Sequence, residues 1–95
     1  MPEVHFRIRW PDQSETRCYS PSTTIMQFLT AGRSYPLNEF LTLSRQALEH
    51  GSERVRQKYG YGCGHAQLQI AEIERVAIRF ADSPAACVSV VNFEI

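Results

Sequence analysis

Lysine is almost missing from this sequence. Of ten basic side chains nine are arginines, and Lys58 is the single lysine. Arginine suits planar, two-pronged contacts with carboxylates and phosphates, although a genome rich in G and C produces the same bias. An excess of either charge is missing too, since ten acidic residues balance the ten basic ones. That balance removes any general attraction to nucleic acid or to an anionic membrane, so neither is expected as a partner. No apolar run approaches the roughly 20 residues that span a bilayer. Met1-Pro2-Glu3-Val4-His5 leads straight into a strand-like pattern, without the basic and apolar parts of an export signal. Cysteine is scarce and odd in number. Cys18, Cys63 and Cys87 stand far apart, which argues against a disulfide framework and for a reducing compartment, the cytoplasm. Glycine patterns of the Walker or dinucleotide kind do not occur, and neither does the paired-carboxylate constellation of a glycosidase. No cofactor is implied.

What is present suits one small domain covering residues 1–95. A chain this short buries only about 60–65% of the surface its unfolded form exposes, so its core must be used fully or completed by a partner. Val4, Phe6, Ile8 and Trp10 alternate with His5, Arg7 and Arg9, the period of a strand with one buried face. Pro11-Asp12-Gln13-Ser14 is turn chemistry, and Glu15 to Tyr19 reads as the returning strand of a hairpin. Pro21 stops that strand. Ser22 or Thr23 then caps a short helical turn through Ile25, Met26, Phe28 and Leu29, ended by Gly32.

The middle of the chain carries the clearest element. At about 100° per residue, Leu37, Phe40, Ala47, Leu48, Gly51 and Val55 share one helical stripe, which predicts a single helix from Leu37 to Tyr59 with Pro36 at its first position. Gly51 lies on that stripe, where a missing Cβ lets a neighbour approach closely. A glycine-broken connection, 60–64, leads to a second helix over Ala66 to Ala81. Its apolar side is Ile70, Ile73, Val76, Ala77 and Phe80, and Glu72, Arg75 and Arg79 line the other side at ion-pair spacing. Leu68 points with the charged residues. Asp82-Ser83-Pro84 breaks the helix, and Ala86 to Ile95 is a last strand with Val91, Phe93 and Ile95 on one face and Val88 and Val90 on the other.

The expected class is α+β: a two-layer sandwich in the order β-β-α-α-α-β, with a three-stranded sheet and helices on one face. The last strand is expected beside the first. The open sheet face is expected to carry His5, Arg7, Arg9, Val88, Val90 and Asn92, partly apolar and therefore suited to a homodimer or another partner.

Three stretches carry candidate chemistry. Arg54 and Lys58 stand one turn apart near a helix C-terminus, where cations complement the negative end of the helix. With the glycine-rich backbone beyond them they also make a candidate site for a carboxylate or phosphate. Cys63-Gly64-His65 offers a thiol close to an imidazole, as a nucleophilic pair needs, but residues two apart do not face each other on regular structure. Zinc sites take four Cys and His ligands, often as paired short spacings, and only one short pair is present, so no metal site is assigned. Arg17-Cys18-Tyr19-Ser20-Pro21-Ser22 forms a strand-to-helix corner with Cys18 facing the core. If the end of the second strand meets the end of the long helix, Cys18 and Cys63 come together.

Arg9-Trp10-Pro11-Asp12, Cys18-Tyr19-Ser20-Pro21-Ser22, Tyr35-Pro36, Phe40, Ser52-Glu53-Arg54-Val55-Arg56, Lys58-Tyr59-Gly60 and Cys63, in this order, resemble a small bacterial nitrogen-starvation-response family encoded in a nitrilase gene cluster. The resemblance covers residues 1 to about 75. It implies neighbours that include a nitrilase, a radical-SAM protein, an acetyltransferase-like protein, a purine-synthesis-like protein and a flavoprotein, a set tied to nitrile or cyanide nitrogen. It transfers no catalytic residue, only motif membership of Cys18, Tyr19, Arg54, Arg56, Lys58, Tyr59 and Cys63. The leading expectation is a non-catalytic accessory protein of that pathway, dimeric and acting through contacts with proteins of the cluster. One alternative is a small enzyme or carrier using Cys63, or Cys18 with Cys63, on a nitrile- or cyanide-derived species, since thiolates add to nitriles. The other is a regulatory domain that senses a small anion, with Arg54, Lys58, Tyr59, Arg56 and Tyr19 as ligand candidates.

Overall fold

Hydrophobic alternation at the start of the chain becomes a strand, β1 (Val4–Arg9), whose even-numbered side chains Val4, Phe6 and Ile8 are fully buried. The computed structural model describes residues 3–60, 64–83 and 86–94. Trp10 and Ser14 close the turn after β1: the Trp10 N–H donates to the Ser14 carbonyl at 2.8 Å, and Gln13 takes a positive φ of 74°. Asp12 steadies this turn by accepting from the Ser14 N–H and hydroxyl. β2 (Glu15–Ser20) returns antiparallel, pairing Phe6 with Cys18 and His5 with Tyr19.

After β2 the chain makes a four-residue helix, α1 (Ile25–Phe28), then turns at Gly32, whose φ of 84° suits a residue without a Cβ. β3 (Ser34–Pro36) follows, and Pro36 leads into the long helix α2 (Leu37–Tyr59). The helix runs through Gly51 as one piece and ends at Gly60, which is left-handed and donates its N–H to the Arg56 carbonyl at 2.7 Å. α3 (Gly64–Ala77) tightens into a 3₁₀ turn at Ile78–Phe80, and β4 (Cys87–Glu94) closes the fold. Within α3 the Arg75–Glu72 pair forms as the spacing suggests. Arg79 instead reaches back to Asp12 at 3.1 Å.

The sheet is antiparallel, with order β2-β1-β4-β3. Four strands stand where the sequence reading placed three. The two-layer α+β plan and the pairing of first and last strands are as expected, but the element order is β-β-α-β-α-α-β. The extra strand is Ser34-Tyr35-Pro36, too short to show alternation and ending in a proline, which an edge strand tolerates. Its strand character comes from β4: Tyr35 lies opposite Val88, and the Ser34 and Ser89 hydroxyls meet at 2.8 Å.

A second correction concerns β4. The register pairs Arg7 with Asn92 but Ile8 with Val90, so Val91 is an extra residue in β4 and forms a bulge. A bulge inverts the alternation beyond it. Val88 and Val90 therefore join the core beside Phe6 and Ile8, and Phe93 packs against that same core. The open face is consequently more polar than the sequence reading had it. Arg9 and Arg7 flank Glu15 at 2.8 and 3.7 Å, and Arg17 meets Glu94 at 3.1 Å.

α2 and α3 cover the other face. Phe40, Ala47 and Leu48 of α2, with Ile70, Ile73 and Val76 of α3, close over the buried strand residues. Trp10 seals one end, with its ring stacked on Phe80 at 5.8 Å and edge-on to Phe40 at 6.0 Å. No helix among the described residues is long and apolar enough to cross a membrane.

Candidate functional site

The two stretches singled out around Cys18 and Arg54 meet in space, and they do so through hydroxyls. Ser20, Ser22 and Thr24 have no exposed surface. The Ser20 hydroxyl donates to the Ser22 carbonyl at 2.8 Å, and the Ser22 hydroxyl donates to Thr24 Oγ1 at 2.8 Å. Arg54 Nη1 on α2 approaches the same Thr24 oxygen at 3.4 Å. Pro21 and Ser22 rest on Gly51, three residues before Arg54. The corner is thus packed against the helix and leaves no room for a ligand at Gly51.

Cys18 sits next to this corner with no exposed surface, and burial pushes its thiol up to about 12, with the Glu72 carboxylate adding to the effect. A thiol held this way is neutral at pH 7 and a poor nucleophile. Cys63, the other candidate nucleophile, lies outside the described residues, and so does the expected approach of Cys18 to Cys63. The side chain of Tyr59 is outside them too. Arg54, Arg56 and Lys58, in the last turns of α2, are all exposed.

Tyr19 is the candidate that opens onto a cleft. On the open sheet face it lies opposite His5, with ring centroids 5.8 Å apart at 63°. On its other side His65, from the first turn of α3, approaches edge-on at 5.9 Å and 72°. β2 is an edge strand of the sheet, so the Tyr19 N–H points away from β1, and Gln69 Oε1 accepts it at 2.8 Å. That bond ties α3 to the sheet edge and satisfies a donor that would otherwise face solvent. A cleft of about 360 Å³ results, lined by Tyr19, His65, Leu68, Gln69 and Glu72. Leu68 is 69% exposed at its wall. Glu72 is held by Arg75 through two contacts of 2.6 and 3.0 Å, and that hydrogen bonding keeps its carboxyl below the usual glutamate value.

The sequence reading missed His5, Gln69 and Glu72 as neighbours of Tyr19. One signal was visible: Leu68 stands among charged residues on a helix face, where an apolar side chain has no core to enter. Chemically the cleft offers aromatic edges, an amide, an aliphatic surface and a paired carboxylate, a set suited to binding a surface of mixed polarity. Among the described residues no group of three His, Cys, Asp or Glu side chains is placed to hold a metal ion.

Comparison with curated proteins and with solved structures returns no match. The match comes from a family model. That of the nitrogen starvation-induced protein NitG covers residues 5–93, from β1 into β4, and the chain belongs to this family.

Proposed function

We propose that this protein is an accessory binding protein of the nitrogen-starvation response, acting through protein–protein contacts with products of a nitrilase gene cluster. The family supplies the nitrogen-starvation setting. The resemblance of the motifs motivates the cluster, and the Tyr19 cleft supplies the surface. The observation that carries the reading is that Leu68 stands 69% exposed beside a tyrosine framed by two histidines. Aromatic and aliphatic side chains left outward together, with polar groups around them, are what a partner's surface engages. The buried Cys18 thiol and the ion-paired arginines of the sheet face are already engaged within the fold.

Co-expression with each cluster protein in turn, followed by co-purification, tests this. One of them is expected to bind at micromolar or better affinity. Leu68→Glu is expected to weaken that binding by roughly tenfold or more, because a charge would be placed in the contact. Absence of binding to every cluster protein overturns the proposal, as does a Leu68→Glu variant that binds unchanged.

A further inference from the structure

The sheet has two edges, and only one of them is blunted. β3 is 3 residues long and ends in Pro36, which has no N–H to offer a further strand. β2 carries no proline and pairs with β1 without a bulge. The hairpin sets which of its backbone groups are used. The Trp10 N–H donates to the Ser14 carbonyl, and the same register continues through Thr16 with Ile8 and Cys18 with Phe6. By alternation the N–H and C=O groups of Glu15, Arg17 and Tyr19 point away from the sheet. Gln69 takes the Tyr19 N–H. Among the described residues nothing takes the backbone groups of Glu15 and Arg17. Their charged side chains do not guard the edge either, because both lean inward over the sheet. Glu15 reaches Arg9 on β1 at 2.8 Å, and Arg17 reaches Glu94 at 3.1 Å on β4, the strand beyond β1.

We infer that this edge takes an extended segment of a partner protein, which adds to β2 as a further strand in the groove between β2 and α3. This rests on the reading of the Tyr19 cleft as a binding surface, and it names the form of the partner there. The edge itself selects a strand. Outward groups at Glu15 and Arg17 recur about 6.8 Å apart along an extended backbone, a spacing that a second extended backbone reproduces. A helix, with its own groups bonded internally, cannot satisfy them. Gln69 marks the same demand, since its Oε1 stands 2.8 Å from the Tyr19 N–H, in the role of a strand carbonyl. It also ends the ladder, so the added segment pairs from Glu15 to Arg17 and stops at the Tyr19 cleft. Side chains of an added strand alternate, and those turned to the helix side meet the wall of Leu68 and Glu72. Glu72 is already held by Arg75, so the exposed Leu68 favours an apolar residue there. A second copy of the chain has only this same edge and the proline-ended β3 to offer, and its β2 would bring a second α3 into one groove.

A phage-displayed library of random linear decapeptides, panned against the full chain, is the test. The wild type is expected to select binders, and saturating peptide is expected to slow hydrogen exchange of the Arg17 amide by roughly tenfold or more. Arg17→Pro removes the outward N–H and spares the bonds to β1, a place where an edge strand tolerates proline. It is expected to weaken peptide binding by roughly tenfold with an unchanged circular dichroism spectrum. Arg17→Ala keeps the N–H and loses only an exposed ion pair, so its binding is expected to stay within about threefold of wild type. A library that yields no binder overturns the inference. So do peptides that leave the Arg17 amide exchanging freely, a measurement that needs no variant, or that bind Arg17→Pro as tightly as wild type. A wild-type dimer that is lost in Arg17→Pro would give the edge to a second copy and also overturn it. Peptides bound at the Arg17 amide while no cluster protein binds would uphold the strand site and sink only the cluster reading. A cluster protein bound through Leu68 with the Arg17 amide still exchanging freely would do the reverse.

Discussion

Gly51 in the middle of α2 bears directly on the Pro21 ring. A Cβ placed on Gly51 would lie 3.2 Å from Pro21 Cγ and 3.2 Å from Ser22 Oγ. This contact joins the corner after β2 to the long helix, and the corner in turn fixes Thr24 for Arg54.

Gly51→Ala sets two effects against each other. Alanine gains about 1 kcal/mol of helix propensity over glycine. Its methyl must push Pro21 or Ser22 by a few tenths of an ångström, and both are buried, with the Ser22 hydroxyl tied to Thr24. Overpacking of this kind costs about 1–3 kcal/mol, so a net loss of up to about 2 kcal/mol is expected. Gly51→Val, larger and β-branched, is expected to lose clearly more. Urea unfolding midpoints measure both, and a Gly51→Ala variant more stable than wild type would show that the corner yields freely.

Trp10 is 1% exposed and donates its indole N–H to Thr16 Oγ1 at 2.9 Å. Thr16→Val keeps the shape and removes the acceptor, leaving the N–H buried without a partner. The expected cost is about 1–3 kcal/mol, with Thr16→Ser well below it. Trp10 is the single tryptophan, so its fluorescence reports the transition directly. A loss for Thr16→Ser larger than that for Thr16→Val would show that the threonine methyl matters rather than the hydroxyl.

Much of this fold was legible because its signals are local. The alternation of Val4, Phe6 and Ile8 needs no tertiary information, and the stripe from Leu37 to Leu48, with Gly60 behind it, marks α2 within its own residues. What was illegible depends on distant partners. Ser34-Tyr35-Pro36 is a strand only because β4 lies beside it. The extra residue Val91 is visible only from the register with Arg7 and Ile8, and without it Val88 and Val90 were assigned to the wrong face. The site divides the same way. Tyr19 was picked out from its motif, whereas His5 and His65 reach it from separate parts of the chain, through the hairpin register and the first turn of α3.

Cys18 offers a check on the chemistry of the corner. Burial holds its thiol neutral and shielded, so iodoacetamide at pH 7.5 is expected to leave it unmodified in the folded protein and to modify it in urea. Cys87 is exposed and is expected to react in both conditions. Peptide mapping by mass spectrometry separates the sites. Rapid alkylation of Cys18 in the native protein would mean that the β2 edge opens readily.

Asp12 makes acid stability specific to one contact. Its carboxyl is held below the ordinary aspartate value of 3.8, chiefly by the Ser14 hydroxyl and N–H and further by the Arg79 charge. A carboxyl with a lowered value in the fold contributes stability that is complete above its unfolded value and is lost as pH falls through the folded one. The wild type is therefore expected to weaken as pH drops below about 4. Glu72, lowered by its hydrogen bond to Arg75, works in the same direction. Asp12→Asn is expected to be less stable than wild type at pH 6, with the difference narrowing as the pH falls, giving a shallower acid limb. Because Asp12 and Arg79 are exposed, the difference should shrink in 1 M salt. Urea midpoints across that pH range decide it, and curves that run parallel at every pH would remove Asp12 from the acid response and leave it to Glu72.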